Sequence, residues 1–280
     1  MSLRPATTQT NWKHLLRIDH PAWMPYRQLL DRLDGKRIPN CEQLQALLPP
    51  SLQTASGFPI RFVPAQELAS ADAPAYEQEI AASGRVSTRA DNLHDLCNAL
   101  VWARFPQLKA AMNARHLAAP PSAEAGRRGQ TRDALTLFDE CGLLVTSPER
   151  CPLEALARHD WHELFGTAGE RWSPQVRVFC VGHANLEKLQ RPYKSMTGRC
   201  LLLHTPDAMP ATHELDRMMA ELWKPGSDLR RPADLAPLPH AGVPGWWTAT
   251  AQHADFYADS SVFRPARSGR SVTPVWSVRS

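Results

Sequence analysis

The stretch QVRVFCVGHANLEKLQRPYKSMTGRCLLLH, residues 175–204, contains the two clearest strand patterns of the chain. β-Branched and aromatic residues alternate with other residue types over Gln175–Val181, and Cys200–His204 is a short apolar run. Both patterns are typical of strands. The intervening His183–Leu189 has the spacing of a helix. This stretch therefore predicts one strand-helix-strand unit, around which the rest of the chain packs.

Helical patterns dominate the remaining sequence. The strongest covers Thr88–His116, where Asp91 is a plausible N-cap and Phe105-Pro106 ends one helix and begins another. Pro59–Pro64 predicts a short edge strand, because proline cannot donate a hydrogen bond to a neighbouring strand. Gly142 is expected to end a helix in the left-handed conformation.

Together these patterns predict an α+β fold. We expect a helix-rich single domain with a small β-sheet and an irregular C-terminal segment rich in proline and aromatic residues. The globular domain is predicted to cover residues 1–265, and residues 266–280 are predicted to form a flexible tail.

Composition narrows the class of protein. The 280 residues carry a formal charge of only +4, so no strong field for attracting polyanions is expected. No apolar run is long enough to span a membrane, and the N-terminus lacks the apolar core of a secretory signal. Six scattered cysteines without a C-x-x-C pair predict free thiols in a reducing compartment. The sequence therefore predicts a cytoplasmic protein that does not enter membranes.

Three segments between Arg89 and Lys194 concentrate residues that could perform chemistry. On the predicted helix near Asp91, His94, Asn98 and Trp102 fall on one face, with Asp95 beside them. The second segment, TRDALTLFDEC (131–141), places two carboxylates at a helix C-terminus, where they oppose the helix dipole. In the third, His183 and Glu187 are one helical turn apart.

These segments supply the candidate site residues. The candidate catalytic residues are His94, Asp95, Asp133, Asp139, Glu140, His183 and Glu187. The candidate substrate-binding residues are Arg89, Asn98, Trp102, Lys109 and Lys194. The candidate metal ligands are His94, His116 and His183, and the expected cofactor is a divalent metal ion. Each residue also has a structural interpretation: His94 and Asn98 could satisfy one another in a polar layer, and Trp102 could belong to the core.

Several of these motifs, in this order, resemble a family of bacterial proteins catalogued as domain of unknown function 3025. The motifs are Thr88-Arg89, Asn92–Asp95, Asn98–Trp102, Phe105-Pro106, Arg132–Glu140, Gly182-His183, Leu186–Lys188, Pro244–Trp246 and Phe263–Pro265. The resemblance extends from about Phe62 to Pro265, and it implies no activity, cofactor or substrate.

Three functions remain open at this level. The first is a metal-dependent hydrolase or group-transfer enzyme that acts on a small anionic substrate. The second is a non-catalytic adaptor with a partner surface formed by the aromatic residues Trp246, Trp247, Phe256 and Tyr257. The third, less favoured by the charge, is an RNA-binding protein that uses Arg127, Arg128, Arg132, Arg230 and Arg231. Among the cysteines, only Cys97, close to His94 in sequence, is a candidate thiolate.

Overall fold

The computed structural model describes residues 11–68, 73–120, 129–166, 169–207, 209–248, 252, 254–267, 269 and 271–278. The helices are α1 (Trp12–Leu15), α2 (Arg27–Asp31), α3 (Cys41–Gln45), α4 (Ala73–Ser83), α5 (Leu93–Arg104), α6 (Pro106–Ala118), α7 (Gln130–Cys141), α8 (Arg150–Arg158), α9 (Trp161–Phe165), α10 (His183–Lys188), α11 (Thr212–Trp223) and α12 (Ala254–Ala258). The strands are β1 (Arg61–Pro64), β2 (Arg85–Thr88), β3 (Gly142–Ser147), β4 (Arg177–Cys180), β5 (Thr197–His204), β6 (Ala236–Pro239) and β7 (Val275–Ser277). The helix-rich α+β fold is confirmed.

The main sheet has the order β4-β3-β5-β6, and β7 pairs with β5 beyond the end of β6. β3 is parallel to β5 and antiparallel to β4. The predicted strand-helix-strand unit is therefore present as β4-α10-β5, but its two strands are separated by β3. All six residues of β3 are buried, which is typical of a central strand covered on both faces.

A second, two-stranded sheet pairs β1 with β2 in parallel. The sequence predicted β1 and missed β2, whose four residues Arg85–Thr88 carry too short a pattern to stand out. Gly84, immediately before β2, has φ +74°, and a Cβ there would lie 2.1 Å from the carbonyl oxygen of Pro59. Glycine therefore permits both the turn and the close approach of the two chain segments.

Several local predictions need correction. Between α1 and α2 the chain forms a 3₁₀ turn at Pro21–Tyr26, where two prolines remove backbone donors. The N-cap of α5 is Asn92, whose side chain accepts a hydrogen bond from the Asp95 amide, whereas Asp91 has φ +52°. Gly142 has φ −65°, because the chain passes directly from α7 into β3.

The C-terminal third packs against the body of the molecule. Trp246, Phe256 and Phe263 are buried. The segment expected to be a tail contributes β7, so this part of it is a strand of the main sheet. Within the described residues, no helix combines the length and apolar character needed to cross a bilayer.

Candidate metal centre

A cavity of about 480 Å³ opens between α4, α5, α6, α7 and α10. Its volume falls within the range of small-molecule sites, roughly 300–1,000 Å³. Most of the lining side chains are polar or charged. The lining residues are Tyr76, Glu77, Gln78, Ser87, Arg89, His94, Asp95, Asn98, His116, Leu117, Arg132, Thr136, Asp139, Glu140 and His183.

Two histidines from different helices meet at this cavity. The Nε2 atoms of His94 in α5 and His183 in α10 lie 3.0 Å apart. The Oε2 atom of Glu140, at the end of α7, lies 3.6 Å from the Nε2 of His183. One donor atom from each of the three residues lies within 4.8 Å of the others. We call His94, Glu140 and His183 the ligand cluster.

Close packing of α10 on the end of α7 brings His183 and Glu140 together. Gly182 precedes His183, and a Cβ at this position would lie 2.3 Å from the Gly142 amide nitrogen. The Asn185 side chain donates a hydrogen bond to the carbonyl oxygen of Cys141, one of the last carbonyls of α7. Glycine at position 182 and asparagine at position 185 thus set the approach of the two helices.

A carboxylate lies behind each histidine. The Oε2 atom of Glu187 is 2.9 Å from the Nδ1 of His94, and the Oδ2 atom of Asp139 is 3.6 Å from the Nδ1 of His183. The Glu187 carboxylate favours the His94 tautomer that carries its proton at Nδ1. The Nδ1 of His183 has no hydrogen-bond partner among the described residues, because Asp139 at 3.6 Å lies beyond hydrogen-bond distance. The Nε2 lone pair of His94 then faces the Nε2 of His183, which can either donate a hydrogen bond to it or share a cation with it.

Burial keeps His183 neutral. Burial lowers the pKa of His183 to about 4, although the neighbouring Asp139 carboxylate acts in the opposite direction. Burial raises the pKa of Asp139, but the Lys109 ammonium and His183 outweigh it, and the net pKa is lowered. Burial and the adjacent Asp139 raise the pKa of Glu140. Neutral His183 can coordinate a cation at pH 7.

A second polar group, built around Glu77 of α4, shares the cavity. Its Oε2 atom accepts a hydrogen bond of 2.7 Å from Asn113, and its Oε1 atom lies 3.9 Å from the Nε2 of His116. Burial raises the pKa of Glu77 to about 7, with Asn113 opposing the shift and Asp139 adding to it. A carboxyl group with this pKa can accept and release a proton near neutrality.

Most of the predicted site residues converge. Eight of them line the cavity: Arg89, His94, Asp95, Asn98, His116, Asp139, Glu140 and His183. Asp95 does not orient His94, because its carboxylate binds the Arg89 guanidinium at 2.7 Å. His116 lies against Glu77, outside the ligand cluster. Glu187, which is not a lining residue, holds His94 from behind.

Four predicted residues have other positions. Trp102 is 1% exposed and belongs to the core, where the apolar neighbours of α5 enclose it. Lys109 is buried and forms a 2.5 Å ion pair with Asp139, so it balances that carboxylate and cannot reach a substrate. Lys194 pairs with Asp259 at 2.5 Å. Asp133 is exposed and does not line the cavity.

The residues of the other two hypotheses are also placed by the structure. Trp246, Phe256 and Tyr257 are buried and Trp247 packs against the core, so the expected aromatic surface is largely internal. Arg230 and Arg231 pair with Asp228 and Asp234. Arg127 and Arg128 lie outside the described residues. Cys97 is fully buried, and burial raises the pKa of its thiol well above the ordinary value.

Sequence reasoning missed Tyr76, Glu77, Ser87 and Thr136 as lining residues. Tyr76 and Glu77 lie in α4, whose hydrophobic and polar residues show little periodic separation. The place of Glu77 in the cavity could not be predicted, because Asn113, which donates a hydrogen bond to it, is 36 positions away in the sequence.

The fold and the site together define a helix-rich α+β protein with two histidines and one carboxylate grouped at a polar cavity. The family model described as "Protein of unknown function (DUF3025)" matches residues 60–267, and the chain belongs to this family. The resemblance seen in the motifs is therefore confirmed, and the matched range contains the whole ligand cluster. Comparisons with curated proteins and with solved structures find no significant match.

Proposed function

We propose that this protein is a cytoplasmic, divalent-metal-dependent hydrolase or group-transfer enzyme that acts on a small molecule. The observation that carries the proposal is the 3.0 Å approach of the His94 and His183 Nε2 atoms, each backed by a carboxylate at Nδ1. Two imidazole nitrogens bound to one tetrahedral zinc ion at about 2.0–2.1 Å lie roughly 3.3–3.4 Å apart, so a small outward movement of the two rings would admit the ion.

Glu140 supplies the third ligand of the proposed centre. Two imidazoles and one carboxylate form a ligand set found in catalytic zinc sites, and three protein ligands leave room for water and substrate. A Zn²⁺ ion held by His94, His183 and Glu140 would lower the pKa of a bound water to about 7 and so supply hydroxide at neutral pH. A structural site, by contrast, usually has four protein ligands.

The residues around the centre have distinct tasks in this proposal. Glu187 is a positioning residue that holds the His94 imidazole, Asp139 is the charged neighbour of His183, and Lys109 balances the charge of Asp139. Glu77, in the same cavity, is the candidate proton carrier. In hydrolysis, water adds to the electrophilic carbon or phosphorus atom, the bond to the leaving group breaks, and the proton removed from water passes to the leaving group.

The first test is metal binding by the full-length protein. After treatment with a chelator, the protein is titrated with Zn²⁺, Mn²⁺ and Fe²⁺ by calorimetry, and the bound metal is quantified by mass spectrometry. We expect one ion per chain, and we expect His94→Ala and His183→Ala each to weaken binding at least about 100-fold. His213→Ala, at an exposed histidine of α11, is the matched control and should bind as the wild type does.

The second test is activity. The metal-loaded protein is assayed against panels of chromogenic esters, phosphoesters and amides, and Glu140→Gln and Glu77→Gln should each reduce any hydrolysis found. A wild-type protein that binds no divalent ion, or one that binds it equally well after both histidine substitutions, would refute the proposal.

A further inference from the structure

The helix α7 forms one wall of the cavity along two of its turns. Arg132, Thr136, Asp139 and Glu140 all line the cavity from this helix, at the spacing of one helical face. Arg132 lies in the first turn and Glu140 in the last turn. With a rise of 1.5 Å per residue, the two positions are separated by about 10–12 Å along the helix axis. The ligand cluster and Arg132 therefore mark opposite ends of one cavity.

The Arg132 guanidinium is half-buried and partly oriented. Its Nη2 atom donates a 3.2 Å hydrogen bond to the carbonyl oxygen of Ala119, at the end of α6. In the part of the chain that the structure describes, no carboxylate lies within salt-bridge distance of Arg132. The other arginine of the cavity, Arg89, is already paired with Asp95. Arg132 is thus a cation of the cavity whose charge is not balanced by any carboxylate among the described residues.

The charges in the cavity favour an anion once a metal is bound. Asp95 is balanced by Arg89, and Asp139 is balanced by Lys109. Glu140 as a metal ligand and Glu187 beside His94 together offset the charge of a divalent ion, while Glu77, with a pKa of about 7, carries only part of a negative charge at neutrality. The loaded cavity is therefore positive overall, with Arg132 contributing the positive charge farthest from the metal.

We infer that Arg132 binds a carboxylate or phosphate group of a small-molecule substrate whose reacting bond lies at the ligand cluster. This inference rests on the proposed function and names its substrate class. The substrate carries an anionic group at the end of the cavity opposite to the bond that is broken. Arginine suits this task because its planar guanidinium can form two parallel hydrogen bonds with either anion.

The test uses inorganic phosphate and acetate as separate probes, so that the phosphate and carboxylate sources are distinguished. Each is titrated by calorimetry into the full-length protein with and without bound Zn²⁺, because the metal contributes part of the positive charge of the cavity. We expect at least one probe to bind, and we expect Arg132→Met to weaken it at least about tenfold. Arg132→Lys should give an intermediate loss, because it retains the charge without the fork of donors.

Two controls complete the anion experiment. Arg150→Met removes an exposed arginine paired with Glu154 on α8 and should leave probe binding unchanged. Circular dichroism of the Arg132 variants checks that they are folded, and Zn²⁺ titration checks that the ligand cluster is intact. If neither probe binds the wild type, or if folded Arg132→Met binds them equally well, the inference is overturned.

The metal measurement and the anion measurement test the two proposals separately. Loss of probe binding in Arg132→Met together with normal Zn²⁺ binding supports both proposals. Arg132-dependent probe binding by a wild-type protein that takes up no metal would refute the proposed function and leave only the anion site. Normal metal binding with probe binding that does not depend on Arg132 would refute the anion site and leave the proposed function standing.

Discussion

The Nε2 atoms of His94 and His183 lie 3.0 Å apart although the two residues are separated by 89 positions in the chain. The ring planes are nearly perpendicular, at 75°. His183 is almost completely buried, whereas the side chain of His94 is 31% exposed. One histidine is thus fixed within the protein, and the other forms the accessible side of the proposed centre.

Glu187→Gln should weaken metal binding about 10–100-fold without abolishing it, because the hydrogen bond to His94 Nδ1 orients the ring and increases the basicity of Nε2. Zn²⁺ affinity measured by calorimetric competition with a chelator tests this. Glu221→Gln, at an exposed glutamate paired with Lys224, is the control. Equal affinity of Glu187→Gln and the wild type would show that Glu187 does not position the ligand.

Lys109→Met should destabilise the fold by about 3–5 kcal/mol, because it leaves the Asp139 carboxylate half-enclosed and without its cation. The double variant Lys109→Met/Asp139→Asn should recover part of this loss, since no charge then remains to be balanced. Urea denaturation measures both values. Lys224→Met, which breaks an exposed pair, should cost less than about 1 kcal/mol. A loss of similar size in Lys109→Met and Lys224→Met would contradict the expected cost of the buried charge.

Glu77 should make the protein less stable as the pH rises. Its pKa in the folded state is about 7, above the ordinary value of 4.5. The folded state therefore holds the proton more tightly than the unfolded chain. The resulting stabilisation is complete below pH 4.5 and is lost as the pH rises through 7.

Glu77→Gln should remove this pH dependence and be more stable than the wild type at pH 8, by on the order of 2–3 kcal/mol. Glutamine keeps an oxygen that can accept the hydrogen bond from Asn113. Urea denaturation of both proteins at pH 5 and pH 8 provides the comparison. Parallel pH profiles would show that Glu77 has no raised pKa.

Gly182→Ala should cost about 1–3 kcal/mol of stability and also weaken metal binding, because its Cβ would displace α10 from the end of α7. The atoms it would meet belong to the backbone, which cannot rotate away as a side chain can. Gly226→Ala is the control, because this glycine has φ +84° and open space around it. It should lower stability through backbone strain but leave Zn²⁺ affinity unchanged, and an equal effect of both variants on affinity would contradict the packing argument.

Much of the fold could be predicted from local patterns. The break between α5 and α6 follows from Pro106, which cannot continue the hydrogen bonds of the preceding helix. β4, α10 and β5 follow from residue type and periodicity. β2 could not be identified, because a four-residue strand becomes recognisable only beside its partner β1.

The candidate site was predictable to a smaller extent. Two carboxylates at the C-terminal end of α7 oppose the helix dipole, and this unusual placement correctly indicated that Asp139 and Glu140 are cavity residues. The cation that balances Asp139 is Lys109. Lys109 is 30 positions away in sequence, and only the packing of α6 against α7 brings it within reach.

The sequence by itself determined the class of fold, the family and the helices that carry His94, Glu140 and His183, because these depend on periodicity, turn residues and ordered motifs. Only the tertiary structure decided that the three residues share one cavity, that Glu187 and Asp139 stand behind the histidines, and that Trp102 and Lys109 are buried. Such contacts join residues far apart in the chain, and the packing of whole helices determines their distances.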